Sequence, residues 1–407
     1  MRRVLMITYY FLPVVYAQSI RVFNFARSLT NYNWSTSILT LNHNFFPYLK
    51  DFTFSEKIKE SGIKVYAVNL FKPFSKISTL NFPNTYKEFL SGASALILKF
   101  FGLPEPEQIW KARAIKFGEK ILREDNFNVI IAFAPPLSNI QIGAHLSKKF
   151  KIPLIIDYSF TTNLEKHQSK EKKLLRNGSL IIADNRKIKD KLLQNHLFLD
   201  YNSVKIIPTG VNFSEFNSNE YDVKAENLVL TLALGKITVK KIKPILIALH
   251  QISRRDEFFK KSLILNLIGI PTRDVVNLIL KLQLKENVKI FLNLQREAYI
   301  KLLRSSNFLI YIDEFDTVNI PYDYIGARKP YVAIINGQNN HRYIIGDYKN
   351  SLIADLNDPN SIVSAFEKAF DIFKNHKKIS LVINEENYDI NNIIISLVRE
   401  LENFTYD

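Results

Sequence analysis

The chain has 407 residues, an apolar share of 47% and no cysteine. Its length predicts two domains, because a single hydrophobic core rarely grows beyond about 300 residues. The apolar share excludes a wholly disordered chain, and the lack of cysteine excludes a disulfide scaffold, a thiolate metal site and cysteine catalysis.

Positive charge is unevenly distributed along the chain. Residues 1–205 carry 30 Lys and Arg against 15 Asp and Glu, a net charge of +15, whereas residues 206–407 carry 25 against 24, a net charge of +1. This asymmetry predicts that the N-terminal half meets an anionic partner, such as a membrane surface, a phosphorylated lipid or a nucleic acid. A compositional bias of the source proteome is the alternative explanation.

The N-terminus combines two arginines with a short apolar run. Arg2-Arg3 followed by residues 4–7 resembles a short signal peptide. The segment is too short for one, and apolar residues recur at helical spacing from Ile20 to Leu29. We therefore expect a buried first strand, a turn at Pro13 and a helix. No uninterrupted apolar run reaches the length of a membrane span, which predicts a soluble or peripheral protein.

Short apolar, β-branched runs then alternate with longer amphipathic segments. Strands that are apolar on both faces and separated by helices are typical of parallel sheets covered on both sides. The sequence therefore predicts two doubly wound, Rossmann-like α/β domains that face each other across a cleft. The predicted strands are residues 3–8, 35–41, 63–69, 129–133, 154–157, 180–183 and 204–207, then 228–234, 263–268, 288–292, 308–312, 331–335 and 352–354.

The two domains are expected to join shortly after residue 207. We predict an N-terminal domain over residues 1–207, a linker over 208–227, a C-terminal domain over 228–375 and a helical tail over 376–407. A helix at 390–401 is expected to pack back toward the N-terminal domain. Residues 71–110 do not alternate cleanly, and we interpret them as an amphipathic insertion that either touches a membrane or caps the core.

Two segments of the second domain carry residues suited to an anionic, hydroxyl-rich ligand. In open α/β sheets ligands bind at the carboxyl ends of strands, and the first strand of this domain is followed by Gly235-Lys236 and then Lys241. A glycine turn that opens a helix and carries two lysines favours a phosphate group, and a solvated lysine cluster is the alternative. Pro321 predicts a second helix start. Asp323 in its first turn either accepts hydrogen bonds from sugar hydroxyls or only balances the helix dipole.

Other chemistries find less support in the sequence. Asp313, Glu314 and Asp316 form an acidic cluster, but neighbouring acids on a loop are usually solvated. The seven histidines lack the paired spacing of a zinc site. The absence of a P-loop and of a G-x-G-x-x-G segment after a strand argues against an NTPase or a dehydrogenase. No nucleic-acid recognition motif accompanies the basic residues.

The order of the motifs resembles the family-4 retaining glycosyltransferases of the GT-B fold, in a subgroup common in bacterial surface-polysaccharide clusters. The resemblance spans almost the whole chain, and the order and spacing of the segments together are specific. The segments that carry it are residues 7–13 with Arg21, 31–41 with Trp34, 103–110, 134–138, 152–157, 206–211, 235–241 and 320–330.

The resemblance implies a hexosyltransferase-type enzyme that moves a sugar from a nucleotide-sugar with retention of anomeric configuration. The C-terminal domain would bind the donor, with Lys236 and Lys241 as catalytic residues that neutralise the diphosphate leaving group. Lys236 replaces the family's usual arginine. Asp323 stands where the family has a glutamate that holds the ribose, and its side chain is one methylene shorter. The other donor-binding candidates are Gly235, Glu314, Pro321 and Tyr322.

The same resemblance assigns the N-terminal domain to a glycan or lipid-linked acceptor in cell-surface polysaccharide synthesis. With its positive charge, this domain would lie on an anionic membrane surface, which predicts a cytoplasmic protein peripheral to the inner face of the membrane. Neither a nucleic-acid partner nor a bound metal is expected, and the nucleotide-sugar serves as co-substrate. The candidate acceptor and cleft residues are Tyr16, Ala17, Arg21, Pro136 and Asp157.

Several positions depart from the family pattern. The glycine pair expected after the first strand is Val15-Tyr16, and the position eight residues before Asp323, often glutamate in the family, is Phe315. Side chains in the first loop can obstruct a phosphate site, because glycine allows the closest backbone approach. The alternative to an active transferase is therefore a catalytically inactive GT-B homologue that acts as a scaffold or partner subunit.

Overall fold

The computed structural model describes residues 1–46, 50–70, 106–158, 168–217, 226–292, 294–312, 320–335, 351–375 and 384–405. Contacts within the chain divide it into two compact units. The first unit comprises Met1–Thr209 together with Ile390–Asp407, and the second comprises Gly210–Asp389. The C-terminal helix therefore belongs to the first unit, and the described residues just after Gly210 belong to the second.

Each unit contains one parallel sheet. The first sheet has the strand order β3-β2-β1-β4-β5-β6-β7, and the second has the order β10-β9-β8-β11-β12-β13. The strands of the first sheet are β1 (Arg2–Thr8), β2 (Trp34–Leu41), β3 (Lys64–Val68), β4 (Val129–Ala134), β5 (Leu154–Tyr158), β6 (Leu180–Ala183) and β7 (Val204–Ile206). Those of the second are β8 (Leu228–Ile237), β9 (Leu263–Pro271), β10 (Val288–Phe291), β11 (Phe308–Ile312), β12 (Tyr331–Ile335) and β13 (Leu352–Asp355).

Helices connect most of these strands. Apolar residues at helical spacing give each one a buried stripe and a solvated stripe. Within the described residues the α-helices are α1 (Ala17–Leu29), α2 (Thr53–Glu60), α3 (Pro106–Glu124), α4 (Leu137–Phe150), α5 (Gln168–Leu175), α6 (Arg186–Asn195), α7 (Val239–Arg255), α8 (Glu257–Ser262), α9 (Arg273–Lys281), α10 (Arg296–Arg304), α11 (Ile320–Ala327), α12 (Pro359–Lys374) and α13 (Ile390–Glu402).

The helices of the first unit cover both faces of its sheet. Helices α1, α2 and α13 pack on one face, where Phe23 and Leu397 join side chains of the strands in one core. Helices α3 to α6 pack on the other face, where Trp110, Leu146 and Leu192 contribute to a second core. Because both faces are covered, the central strands β4, β5 and β6 are buried along their whole length and mostly apolar, which makes them recognisable in the sequence.

The second unit is built in the same way. Helices α7, α8, α9 and α12 share one core with alternate residues of β8, including Leu230 and Leu232. On the opposite face, α10 and α11 pack with Phe213 and Phe216. These two phenylalanines lie in the segment that the sequence predicted as a linker, and their burial makes that part of it a component of the second unit.

Eleven of the thirteen predicted strands agree with the observed bounds to within one residue, and β8 and β9 each extend three residues farther. The insertion predicted at 71–110 lies outside the described residues up to residue 105, and helix α3 begins at Pro106. Among the helices of the described ranges, none is long and apolar enough to cross a membrane.

Candidate functional site

Each sheet has one point where the direction of strand addition reverses. In the first sheet it lies between β1 and β4, and in the second between β8 and β11. The loops that leave neighbouring strands at such a point diverge to opposite faces and open a crevice beyond the carboxyl ends of the strands. Of the predicted site residues that the structure describes, Tyr16 and Pro136 lie near the first switch point, and Gly235, Lys241 and Asp323 lie near the second.

The segment after Leu234 differs from the predicted glycine turn. Strand β8 continues to Ile237 and pairs with β9 along its length. A bulge between Ala233 and Lys236 shifts the register, so that Lys236 pairs with Ile270. Opposite the bulge, Gly269 adopts a φ of +140°, and a Cβ atom there would lie 1.8 Å from the carbonyl oxygen of Leu234. The polar sequence of this segment concealed the strand, because its pairing depends on a glycine more than thirty residues away.

Helix α7 begins at Val239, two residues after β8 ends. Thr238 is its N-cap residue but forms no side-chain capping hydrogen bond, and Lys241 lies half-buried in the first turn. Gly235 is exposed, and a Cβ atom there would meet no other atom within 4 Å. A helix N-terminus with a lysine in its first turn is an arrangement that favours an anion.

The predicted ribose-binding carboxylate lies at the N-terminus of helix α11, which follows β11. Asp323 accepts a hydrogen bond from Arg296, with 2.7 Å between Oδ1 and Nη2, and Arg296 also contacts Glu215 at 3.2 Å. All three side chains are largely buried. Two carboxylates and one guanidinium give a formal net charge of −1, which suits a hydroxyl-bearing group better than a phosphate.

Electrostatic shifts in this cluster follow from burial and from Asp323. Burial opposes the charge of Arg296, but Asp323 and Glu215 more than offset it and raise the pKa of the guanidinium. Burial, followed by the charge of Asp323, raises the pKa of Tyr299 well above its ordinary value. Arg296 therefore stays charged and Tyr299 stays neutral over the whole physiological range.

Tyr324 ties helix α11 to both strands of the switch point. Its buried hydroxyl accepts a hydrogen bond from the Ala233 amide of β8 at 3.0 Å and donates one to the Ile310 carbonyl of β11 at 3.1 Å. The ring packs on Tyr331. Because Asp323 is the neighbouring residue, this anchoring fixes the first turn of α11 over the switch point, with Tyr322 half-buried beside it.

Some predicted donor-site groups lie outside the described residues. They are the whole of Glu314 and the side chains of Lys236 and Pro321. In the first unit, the side chain of Ala17 also lies outside the described residues.

An aromatic cluster occupies the loop after β1 in the first unit. The half-buried ring of Tyr16 packs against Tyr10 with 4.5 Å between centroids, and Tyr10 packs against Phe46 at 5.0 Å. Tyr9 contacts Phe46 and Trp110 from the interior. The residue that replaces a family glycine is therefore built into a stack of aromatic rings on its own unit.

The loop after β4 meets the start of helix α1 at the same switch point. Pro136 is the N-cap residue of α4. The carbonyl of its neighbour Pro135 accepts a hydrogen bond from the Gln18 side chain at 2.7 Å. Gln18 in turn accepts one from Thr8 of β1 at 3.2 Å. Pro136 and Tyr16 thus flank the first switch point.

Arg21 and Asp157 are both fully buried and are paired with each other. The guanidinium of Arg21 donates to both carboxylate oxygens of Asp157, at 2.6 to 3.1 Å, and to Asp184 at 3.1 Å. Thr209 and the carbonyl of Ile207 also accept hydrogen bonds from it. This network joins α1 to the carboxyl ends of β5, β6 and β7. An acceptor would reach either side chain only after a rearrangement of the unit.

Four participants in these clusters were missed by the sequence analysis. Asp184 directly follows a predicted strand, and Thr209 belongs to the segment 206–211 that carries part of the family resemblance, so both carried a positional signal. Glu215 and Arg296 carried none, because they are separated by 81 residues and meet only in the folded unit. Within the described ranges, no group of three or more His, Asp or Glu is arranged to hold a metal ion.

No protein-family model and no curated protein sequence matches the chain. Solved structures match along its full length. A glycosyltransferase from Rickettsia africae ESF-5 is similar with a TM-score of 0.65 and 16% identity, covering 100% of this chain and 99% of that one. Anabaena HepE in complex with UDP and glucose gives a TM-score of 0.65 and 14% identity, with coverage of 99% and 100%.

A third similar structure is sucrose-phosphate synthase from Thermosynechococcus elongatus, with a TM-score of 0.67, 13% identity and coverage of 100% and 99%. The fold is GT-B. This confirms the predicted class of two Rossmann-like parallel-sheet domains. Identities of this size establish the fold alone, because one fold hosts many reactions.

Proposed function

We propose that the protein is a glycosyltransferase that moves a sugar from a nucleotide-sugar to a glycan or lipid-linked acceptor. Retention of configuration and a role in cell-surface polysaccharide synthesis are parts of the proposal, and both derive from the family resemblance. The similar structures support it in their own right, since one of them was solved with UDP and glucose.

One observation carries the proposal most directly. At the switch point of the second sheet, a helix N-terminus with Lys241 and a helix N-terminus with Asp323 follow neighbouring strands. The cationic end matches a diphosphate, and the carboxylate matches the hydroxyl groups of a ribose or a sugar. In this mechanism Lys241, with Lys236, offsets the charge that develops on the leaving diphosphate. Arg296 holds Asp323 in place.

The first unit would then supply the acceptor side. Its switch point is lined by Tyr10 and Tyr16, whose rings offer apolar faces with polar hydroxyl tips. We propose that these residues and Pro136 contact the acceptor, while the buried pair of Arg21 and Asp157 supports the loops that carry them. The proposal includes a peripheral location at the inner face of the membrane.

Binding of nucleoside diphosphates tests the donor site. We expect UDP or GDP to bind in a calorimetric titration, and Lys241→Ala to weaken binding by roughly 10- to 100-fold, the worth of one charge-assisted hydrogen bond. Asp323→Asn should weaken it by a similar factor. Lys243→Ala is the matched control, because residues two apart on a helix do not face the same side. If the wild-type protein bound neither nucleoside diphosphates nor nucleotide-sugars, the proposal would fail.

A catalytically inactive GT-B homologue remains the second candidate, and the aromatic stack of Tyr10 and Tyr16 in place of a glycine loop favours it. Loss of the cell-surface glycan in a strain carrying Lys236→Ala and Lys241→Ala would support catalysis. An unchanged glycan, combined with normal nucleotide binding by the wild-type protein, would support a scaffold. The anomeric configuration of any product, determined by NMR, tests retention.

A further inference from the structure

A leucine on the first unit is almost fully exposed. Leu197 lies in the loop between α6 and β7, and 93% of it is accessible to solvent. The residue before it, His196, is buried and hydrogen-bonded to Glu171 at 3.0 Å, and the residue after it, Phe198, packs against the core. Anchors on both sides hold Leu197 outward, so its exposure is a property of a fixed loop.

Basic side chains surround this loop on the side of helix α5. The guanidinium of Arg176 lies 5.0 Å above the ring of Phe198. Lys172 and Lys173 precede Arg176 by four and three residues and are exposed, so all three cations are neighbours on the helix surface. The cationic end of α5 therefore lies directly beside the loop that presents Leu197.

A second exposed ring lies on the side of helix α6. Tyr201 is 55% exposed, its hydroxyl accepts a hydrogen bond from Arg186 at 2.9 Å, and the Lys189 ammonium lies 3.4 Å from the ring centroid. A tyrosine held between cations, with an apolar body and a polar tip, is typical of side chains at a lipid–water interface. We refer to Lys172, Lys173, Arg176, Arg186, Leu197 and Tyr201 as the basic–apolar patch.

The net charge of this region is positive. Residues 168–206 contain nine Lys and Arg against four Asp and Glu, a net charge of +5. Two of the four acids, Glu171 and Asp184, are buried. The other two acids face solvent and interact with neighbouring residues. Asp190 pairs with Arg186 at 2.7 Å, and Asp200 caps the turn that carries Tyr201.

We propose that the basic–apolar patch docks the protein onto an anionic lipid bilayer. The cations would meet the charged headgroups, and Leu197 and Tyr201 would enter the boundary between headgroups and acyl chains. Arg176 lies just before β6, Leu197 and Tyr201 lie in the segment that leads into β7, and Arg186 begins α6 just after the carboxyl end of β6. This inference rests on the peripheral membrane location in the proposed function and specifies the surface that contacts the membrane. It does not depend on how the donor is bound.

Vesicle co-sedimentation of the full chain tests the inference. We expect binding to vesicles of phosphatidylglycerol and phosphatidylcholine that weakens with salt, and little binding to phosphatidylcholine alone. The double variant Lys172→Glu with Arg176→Glu should lose at least about 30-fold in affinity, since each cation near an anionic surface contributes about fivefold. Leu197→Ser should lose about tenfold, as expected for withdrawing one apolar side chain from the interface.

Matched controls come from the second unit. The double variant Lys281→Glu with Lys285→Glu makes the same change in net charge, and Leu280→Ser removes a leucine that is 51% exposed. Both controls should bind as the wild type does. The proposal would be overturned if the wild-type protein did not bind anionic vesicles, or if the patch and control variants lost the same affinity. It would also be overturned if the protein were a dimer in solution that Leu197→Ser dissociates. The same preparations are also tested for nucleoside diphosphate binding. If they bind the nucleotide but not the vesicles, only the membrane inference fails and the transferase proposal stands.

Discussion

Arg21→Met is expected to destabilise the first unit by about 3–5 kcal/mol, the cost of leaving buried carboxylates without their cation. Asp157 has no exposed surface, and Asp184 is nearly buried, so water cannot replace the guanidinium. Methionine is unbranched and a good helix former, so neither helix propensity nor gross packing accounts for the loss. The prediction therefore isolates the charge network at the carboxyl ends of β5, β6 and β7.

Tryptophan fluorescence during urea denaturation measures this effect in one unit only. The chain has two tryptophans, Trp34 and Trp110, and both are fully buried in the first unit. With a denaturant slope of about 3 kcal/mol/M, the expected loss lowers the midpoint by about 1 to 1.7 M urea. Adding Asp157→Asn to Arg21→Met should recover about 1–2 kcal/mol, because it removes one unpaired charge.

Arg27→Met is the matched control. Arg27 lies on the same helix but is exposed in its last turn, so its loss should cost under about 1 kcal/mol. If Arg21→Met cost no more than Arg27→Met, the network would not be structural. A direct role for Arg21 at the acceptor would then be favoured.

Three further predictions concern other parts of the chain. Gly269→Ala should lower the free energy of unfolding, followed by circular dichroism, by at least about 2 kcal/mol, because Gly269 has a positive φ and a carbonyl oxygen lies beside it. Gly235→Ala should lower it by under about 1 kcal/mol. Equal losses in the two variants would argue against the bulge. Tyr324→Phe should lower the free energy of unfolding by about 1–3 kcal/mol in the same assay, since it removes the hydroxyl that bonds to two buried backbone groups. A neutral result would contradict the anchoring of α11. A hydrogen bond from Lys149 is the main reason why the pKa of Glu119 is lowered from 4.5 to about 2. The urea midpoint of Glu119→Gln should therefore lie below that of the wild type at pH 7 and converge with it as the pH falls from about 4.5 toward 2; a gap independent of pH would refute the pairing.

The sequence predicted the architecture well because the information is local. A strand buried on both faces is a short apolar run wherever it occurs, and runs such as 180–183 and 331–335 match their observed strands to the residue. Strand β8 was predicted three residues short, because Gly235 and Lys236 are a turn-like pair. Their extended conformation is enforced by pairing with β9, which no local pattern reveals.

The site was predicted less completely because its contacts are distant in sequence. Asp323 was recognised from its place in a helix turn, but its partner Arg296 lies 27 residues earlier on a different helix. Arg21 was identified as a candidate acceptor and cleft residue, whereas its partners are 136 to 188 residues away in the sequence and enclose it. A motif gives the residue type and its position on an element, but it does not say which charges the fold brings together.

The distribution of charge finally bears on which unit takes the donor. A diphosphate needs accessible cations beside a strand end, and a high net charge does not by itself provide them. In the first unit Arg21 of helix α1 is buried and already paired with two carboxylates, while exposed cations of that unit lie on helix surfaces such as α5. The second unit is nearly neutral in composition but has Lys241 in a helix first turn at its switch point. We therefore expect the donor in the less charged unit. Nucleotide binding that survives Lys241→Ala but is lost on substituting first-unit residues such as Tyr16 would reverse this assignment.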